Sequence, residues 1–129
     1  MTTLAKLMGS GVPGQQAQST TAGVPLTGQT ATGSTQGTAF AITSDFVVFS
    51  TVAASTGARL PAASAPSLTA QAGDVYVVVN YGANALAVYP PTGGNISNAG
   101  VNASVSIPAN KTGDFYCIGN NLWAASIGT

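Results

Sequence analysis

Apolar residues fall into short runs from Gly37 onward, separated by Gly, Pro, Asn and Ser. In Thr38-Ala39-Phe40-Ala41-Ile42-Thr43 they alternate, which places Phe40 and Ile42 on one face of a strand. Asp45-Phe46-Val47-Val48-Phe49 is a denser run, and Val75-Tyr76-Val77-Val78-Val79-Asn80-Tyr81 is β-branched or aromatic almost throughout, the strongest strand pattern in the chain. Ala85-Leu86-Ala87-Val88-Tyr89 follows Gly82-Ala83-Asn84, which reads as a hairpin turn, and Pro90-Pro91-Thr92-Gly93-Gly94 stops it. Val101, Ala103, Val105 and Ile107 alternate with Asn102, Ser104 and Ser106; Phe115-Tyr116-Cys117-Ile118 and Leu122-Trp123-Ala124 complete the series. Short strands with close turns predict an all-β fold, a small antiparallel β-sandwich or jelly-roll-like barrel, over residues 37–129.

Residues 1–36 have a different texture, rich in Gly, Gln, Thr and Ser. Leu4-Ala5-Lys6-Leu7-Met8 suits one or two helical turns, capped by Thr2 or Thr3 and ended by Gly9. Beyond it no apolar periodicity exists, so an extended N-terminal arm is expected, with too little apolar surface to join the β-core. At about 3.3 Å per residue such an arm reaches at most ~120 Å. Its large apolar residues, Leu4, Leu7, Met8 and Val12, are the candidate anchors on a partner surface.

Charge changes the picture more than any motif. Lys6, Arg59, Lys111, Asp45, Asp74 and Asp114 are the only charged side chains, 5% of the sequence against about 25% in an ordinary domain. There is no His, and the formal net charge is +0. Triads and imidazole metal sites are thereby excluded, so an enzyme is not expected and no cofactor is implied. Three scattered cations do not make a nucleic-acid surface. No polybasic stretch suits an anionic membrane, and no apolar run approaches the ~20 residues of a spanning helix. A surface this poor in charge lacks the usual protection against association, so assembly is the expected state. No signal peptide is read at the N-terminus. A single Cys permits no intrachain disulfide and fits a reducing compartment.

The remaining candidates each have a bland reading. Gly9-Ser10-Gly11-Val12-Pro13-Gly14 has the spacing of a dinucleotide loop but no strand before it or helix after it. Asn95-Ile96-Ser97, Asn102-Ala103-Ser104 and Asn110-Lys111-Thr112 are formal glycosylation sequons without a secretory context. Asp45, Asp74 and Asp114 are read as turn-capping carboxylates, with a minimal oxygen site for a cation as the alternative. Cys117 is expected to be buried and inert. Tyr81, Tyr89 and Trp123 are candidates for the core or an oligomer interface; stacked on a sugar ring they would make a carbohydrate surface instead. Gly73-Asp74-Val75-Tyr76 is echoed by Gly113-Asp114-Phe115-Tyr116, which reads as one turn chemistry used twice.

Three stretches carry a family resemblance: the run from Val79-Asn80-Tyr81-Gly82 through Pro90-Pro91-Thr92-Gly93-Gly94-Asn95-Ile96, the run from Thr30-Ala31-Thr32-Gly33 to Ala39, and Leu7-Met8-Gly9. Together they resemble the head decoration, or capsid cement, proteins of tailed bacteriophages. The resemblance implies a structural protein on the outer surface of the virion capsid, bridging neighbouring major capsid protein subunits. It also implies self-association, as a homotrimer or a dimer, and no catalytic residues. Similar β-modules occur in phage tail fibres and spikes, so a carbohydrate- or receptor-binding module is the alternative.

Overall fold

In the computed structural model, residues 25–64 and 67–128 are described. They form β-strands and turns, with no helix among them. Six strands make the larger sheet, in the order β1 (Leu26–Thr30), β3 (Phe46–Thr51), β7 (Val75–Asn80), β11 (Lys111–Gly119), β12 (Leu122–Ile127) and β9 (Asn95–Ile96). Four make the second: β10 (Val105–Ile107), β8 (Leu86–Tyr89), β4 (Gly57–Arg59) and β2 (Phe40–Ala41). A small pair, β5 (Ala63–Ser64) and β6 (Ser67–Leu68), stands apart.

One core lies between the two large sheets. The six-stranded sheet contributes Val47, Phe49, Tyr76, Val78, Phe115, Cys117 and Trp123; the four-stranded sheet contributes Ala58, Leu86, Val88 and Ile107. These are alternate positions of each strand, as pleating requires. Tyr76 and Trp123 meet edge to face at 5.5 Å, and Phe40 meets Phe49 in the same way at 5.2 Å.

The expected antiparallel pairing is corrected: both sheets are mixed. β1–β3, β3–β7, β12–β9, β2–β4 and β4–β8 are parallel, whereas β7–β11, β11–β12 and β8–β10 are antiparallel. The physical reason lies in the connections. The segments after β3, β7 and β10 carry the chain across to the opposite sheet, and a strand that returns beside its predecessor after such a crossing can run in the same direction. The segment Gly82-Ala83-Asn84 is therefore a corner between sheets and not a hairpin turn, since β7 and β8 belong to different sheets. The tight hairpin is β11–β12, turned by Asn120 and Asn121 with φ of 52° and 59°, the left-handed pair of a type I′ turn.

Two further expectations change. Leu26–Thr30, placed in the arm by composition, is strand β1; Leu26 packs on the core and Ala31 is buried in it. The sheet thus begins before residue 37. The strand expected from Val101 is confined to Val105–Ile107, because Asn102 adopts φ 63° and Val101 is exposed in a turn. The helical turn at Leu4–Met8, the anchors Leu4, Leu7, Met8 and Val12, and the Gly9–Gly14 motif lie outside the described residues.

Candidate interaction surface

Strands β3 and β7 read FVVFST and VYVVVN, apolar on both faces. Such a run is the signature of a strand covered on both sides. The inward set is satisfied by the core. The outward set comprises Phe46 and Val48 on β3, then Val75, Val77 and Val79 on β7. Adjacent outward positions are Tyr116 and Ile118 on β11 and Leu122 and Ala124 on β12. Tyr116, Ile118 and Leu122 are exposed, Ile118 to 59%. Among the outward positions of these four strands, Asp114 is the one charged side chain, flanked by Val77 on β7 and Ser126 on β12. A nearly uncharged, β-branched and aromatic sheet face on a domain with a separate core is a surface suited to contact with other protein.

One end of this face opens into a cleft of about 240 Å³ lined by Asn95, Ser97, Asn98, Ile118, Leu122, Trp123 and Ala124. Its polar wall is built by the end of β9. Ser97 and Asn98 take left-handed φ of 50° and 58°, which stops the strand. The Ser97 hydroxyl then accepts the Ala125 N–H at 2.8 Å, where a continuing strand would have offered a carbonyl. The aliphatic wall is Ile118 and Leu122, beside the β11–β12 hairpin.

The three aromatic candidates are not brought together. Trp123 is 2% exposed and belongs to the core; its indole N–H has no hydrogen-bond partner among the described residues. Tyr89 is half-buried at the end of β8 in the other sheet, and its hydroxyl donates to the Ser34 carbonyl at 3.2 Å. Tyr81 is 63% exposed just past β7, continuing the outward row of Val75, Val77 and Val79. No shared stacking platform for a sugar results from the three.

The aspartates also separate. Asp74 accepts the Gln71 N–H at 3.0 Å and caps its turn, as expected. Asp114 lies within β11 and not in a turn, so the echo of residues 73–76 in 113–116 is no repeat of turn chemistry: Gly73 has φ 93°, whereas Gly113 is buried mid-strand. Among the described residues, no group of three or more His, Cys, Asp or Glu is placed to hold a metal ion. Cys117 is buried on the core face of β11. The Tyr76 hydroxyl is pushed up to about 12, first by burial and then by the nearby negative charge of Asp74 and Asp45, with Cys117 adding to it.

Sequon asparagines act as backbone ligands. The Asn102 carboxamide oxygen accepts from the Gly93 N–H at 2.7 Å and from the Gln36 side chain at 3.0 Å, and Asn95 accepts the Gly100 N–H at 3.4 Å. The outward apolar face escaped the motif reading because no motif encodes it; the unbroken apolar runs of β3 and β7 were its signal. No protein-family model matches the chain, no curated protein matches it, and no solved structure matches it.

Proposed function

We propose that this protein is a non-enzymatic structural component of a phage virion, a capsid cement protein that binds the outer capsid surface and bridges neighbouring major capsid protein subunits as a homotrimer. The observation that carries this reading is the outer face of the six-stranded sheet, a row of apolar side chains with Asp114 as its one charge, on a chain with only six charged residues. Such a face gains from being covered by protein, at roughly 25 cal/mol per Å² of apolar area removed from water. Closed symmetry multiplies a weak individual contact, because several subunits engage at once. The resemblance of residues 79–96 and 30–39 to decoration proteins supplies the virion context.

Density for the chain in a virion map tests the proposal. Copies in icosahedral array on the shell support it, and a few copies at the tail overturn it. Attachment is also expected to survive a rise from about 0.1 to 1 M NaCl, over which the Debye length falls from ~10 to ~3 Å. A second reading, a glycan-binding module of a tail fibre, is favoured by the cleft that sets Asn95, Ser97 and Asn98 against Leu122. Binding of virion-free protein to host surface glycans, lost on Leu122→Asp, would favour it.

A further inference from the structure

The cleft at the end of the outer face differs from the rest of that face, because one of its walls is polar. Cys117 and Trp123 belong to the core, so pleating turns Ile118, Leu122 and Ala124 outward, and these three make an aliphatic floor. The opposite wall is Asn95, Ser97 and Asn98, supplied by β9 and the left-handed turn that ends it. None of the described residues lining the cleft is charged, so a neutral ligand suits it.

The polar wall has hydrogen-bonding capacity to spare. The Asn95 carboxamide oxygen accepts the Gly100 N–H at 3.4 Å, whereas its amide nitrogen donates to no described residue. The Ser97 hydroxyl accepts the Ala125 N–H at 2.8 Å and keeps its own proton to donate. The Asn98 carboxamide pairs with no described group. Two carboxamides and a hydroxyl thus stand beside an aliphatic floor, with donors and an acceptor unspent.

The floor decides which sugar suits the cleft. A bare hexose binds through its hydroxyls and through a C–H face that stacks on an open aromatic ring. The cleft offers no such ring, since Trp123, its one aromatic lining residue, is 2% exposed. An acetamido substituent matches both walls: its methyl covers aliphatic side chains, and the adjoining amide both donates and accepts. We propose that the cleft binds an N-acetylated amino sugar, with the acetyl methyl on Ile118, Leu122 and Ala124 and the amide and ring hydroxyls on Asn95, Ser97 and Asn98. The proposal rests on the glycan-binding reading and names its sugar class. At about 240 Å³ the cleft holds one sugar residue, being smaller than the ~300–1,000 Å³ of drug-sized sites.

Nuclear magnetic resonance of the full-length protein with triacetylchitotriose and with cellotriose tests it. The two trisaccharides share their linkage and differ in carrying acetamido or hydroxyl groups. Triacetylchitotriose is expected to bind about tenfold more tightly, roughly the worth of one buried methyl and one hydrogen bond together. Saturation transfer should be strongest at the acetyl methyl protons, and the shifted protein amides should centre on Asn98, Ile118 and Leu122. Asn98→Gly keeps the left-handed backbone and removes the carboxamide; Leu122→Ser removes part of the floor. Each should weaken binding severalfold while the dispersed amide spectrum of the folded protein persists. Equal binding of cellotriose overturns the acetamido proposal and leaves the glycan reading standing; binding of neither trisaccharide overturns both. Shifts centred elsewhere, or unchanged affinity in both variants, also overturn the proposal.

Discussion

The side-chain amide of Asn80 donates a hydrogen bond to the carbonyl oxygen of Asn84 at 2.8 Å, closing the corner that takes the chain from one sheet to the other. The same amide nitrogen donates to the carbonyls of Ile107 at 3.0 Å and Pro108 at 3.3 Å, and the amide oxygen accepts the Gly82 N–H at 2.9 Å. Asn80 is fully buried, so water cannot replace these bonds. Asn84 in turn donates to the Val52 carbonyl at 2.9 Å, tying in the neighbouring crossover after β3.

Asn80→Leu is therefore expected to destabilise the protein by about 3 kcal/mol, since each buried polar group left unpaired costs ~1–3 kcal/mol. Asn80→Asp should be no milder, because a carboxylate oxygen would then face the carbonyls of Asn84, Ile107 and Pro108. Urea unfolding monitored by Trp123 fluorescence checks both. Rescue by Asp would show that only the Gly82 bond matters.

Two buried glycines should respond differently to Ala. At Gly82 an added Cβ would lie 2.5 Å from Val52 Cβ and 2.6 Å from its backbone nitrogen, so backbone must move. At Gly113 it would meet the side-chain ends of Ile107 and Ile127, each at 2.9 Å, which can rotate away. Gly82→Ala is expected at the upper part of the ~1–3 kcal/mol range of overpacking or beyond, and Gly113→Ala at its lower part. Thermal unfolding of both variants decides the order, and equal midpoints would contradict it.

Stability should fall in alkali through Tyr76. Its folded value is raised to about 12 from an ordinary 10.0, chiefly by burial. Above pH 10 the unfolded chain releases this proton first, so unfolding becomes progressively favoured until the folded form also ionises near pH 12. The contribution is complete below pH 10 and its loss amounts to ~2–3 kcal/mol at most, at about 1.4 kcal/mol per pH unit. Tyr76→Phe should flatten the stability profile between pH 10 and 12; an unchanged slope would place the alkaline loss elsewhere.

Truncation should separate the segment from the sheet. Removing residues 1–24 is expected to retain the β circular dichroism signal, because the sheet starts at Leu26. Removing residues 1–36 also takes away β1, the buried Ala31, and the Gln36 carbonyl that accepts from Arg59 at 3.2 Å. The longer deletion should fold far less stably or fail to fold. Equal stability of the two would mean that β1 contributes nothing to the sheet.

The strand content was legible in the sequence because side-chain alternation is a local property. Val47/Phe49 and Val75–Asn80 read correctly as strands, and Cys117 as a buried side chain on one of them, whereas the strand expected over residues 38–43 is only Phe40–Ala41, with Ile42 buried just beyond it. The near-absence of charge was equally legible. What only the tertiary structure decided was partnership. The parallel pairing of β3 with β7 depends on crossings between sheets that leave no mark within either strand. β1 was hidden in a Gly- and Thr-rich segment, because its place in the sheet comes from main-chain pairing with β3 and not from an apolar pattern of its own side chains. Trp123, Tyr89 and Tyr81 look alike as aromatic strand residues, yet one lies in the core, one bonds to Ser34 from the second sheet, and one faces outward. Which way a strand's apolar side chains face is set by what packs on each face, and that is a relation between distant parts of the chain.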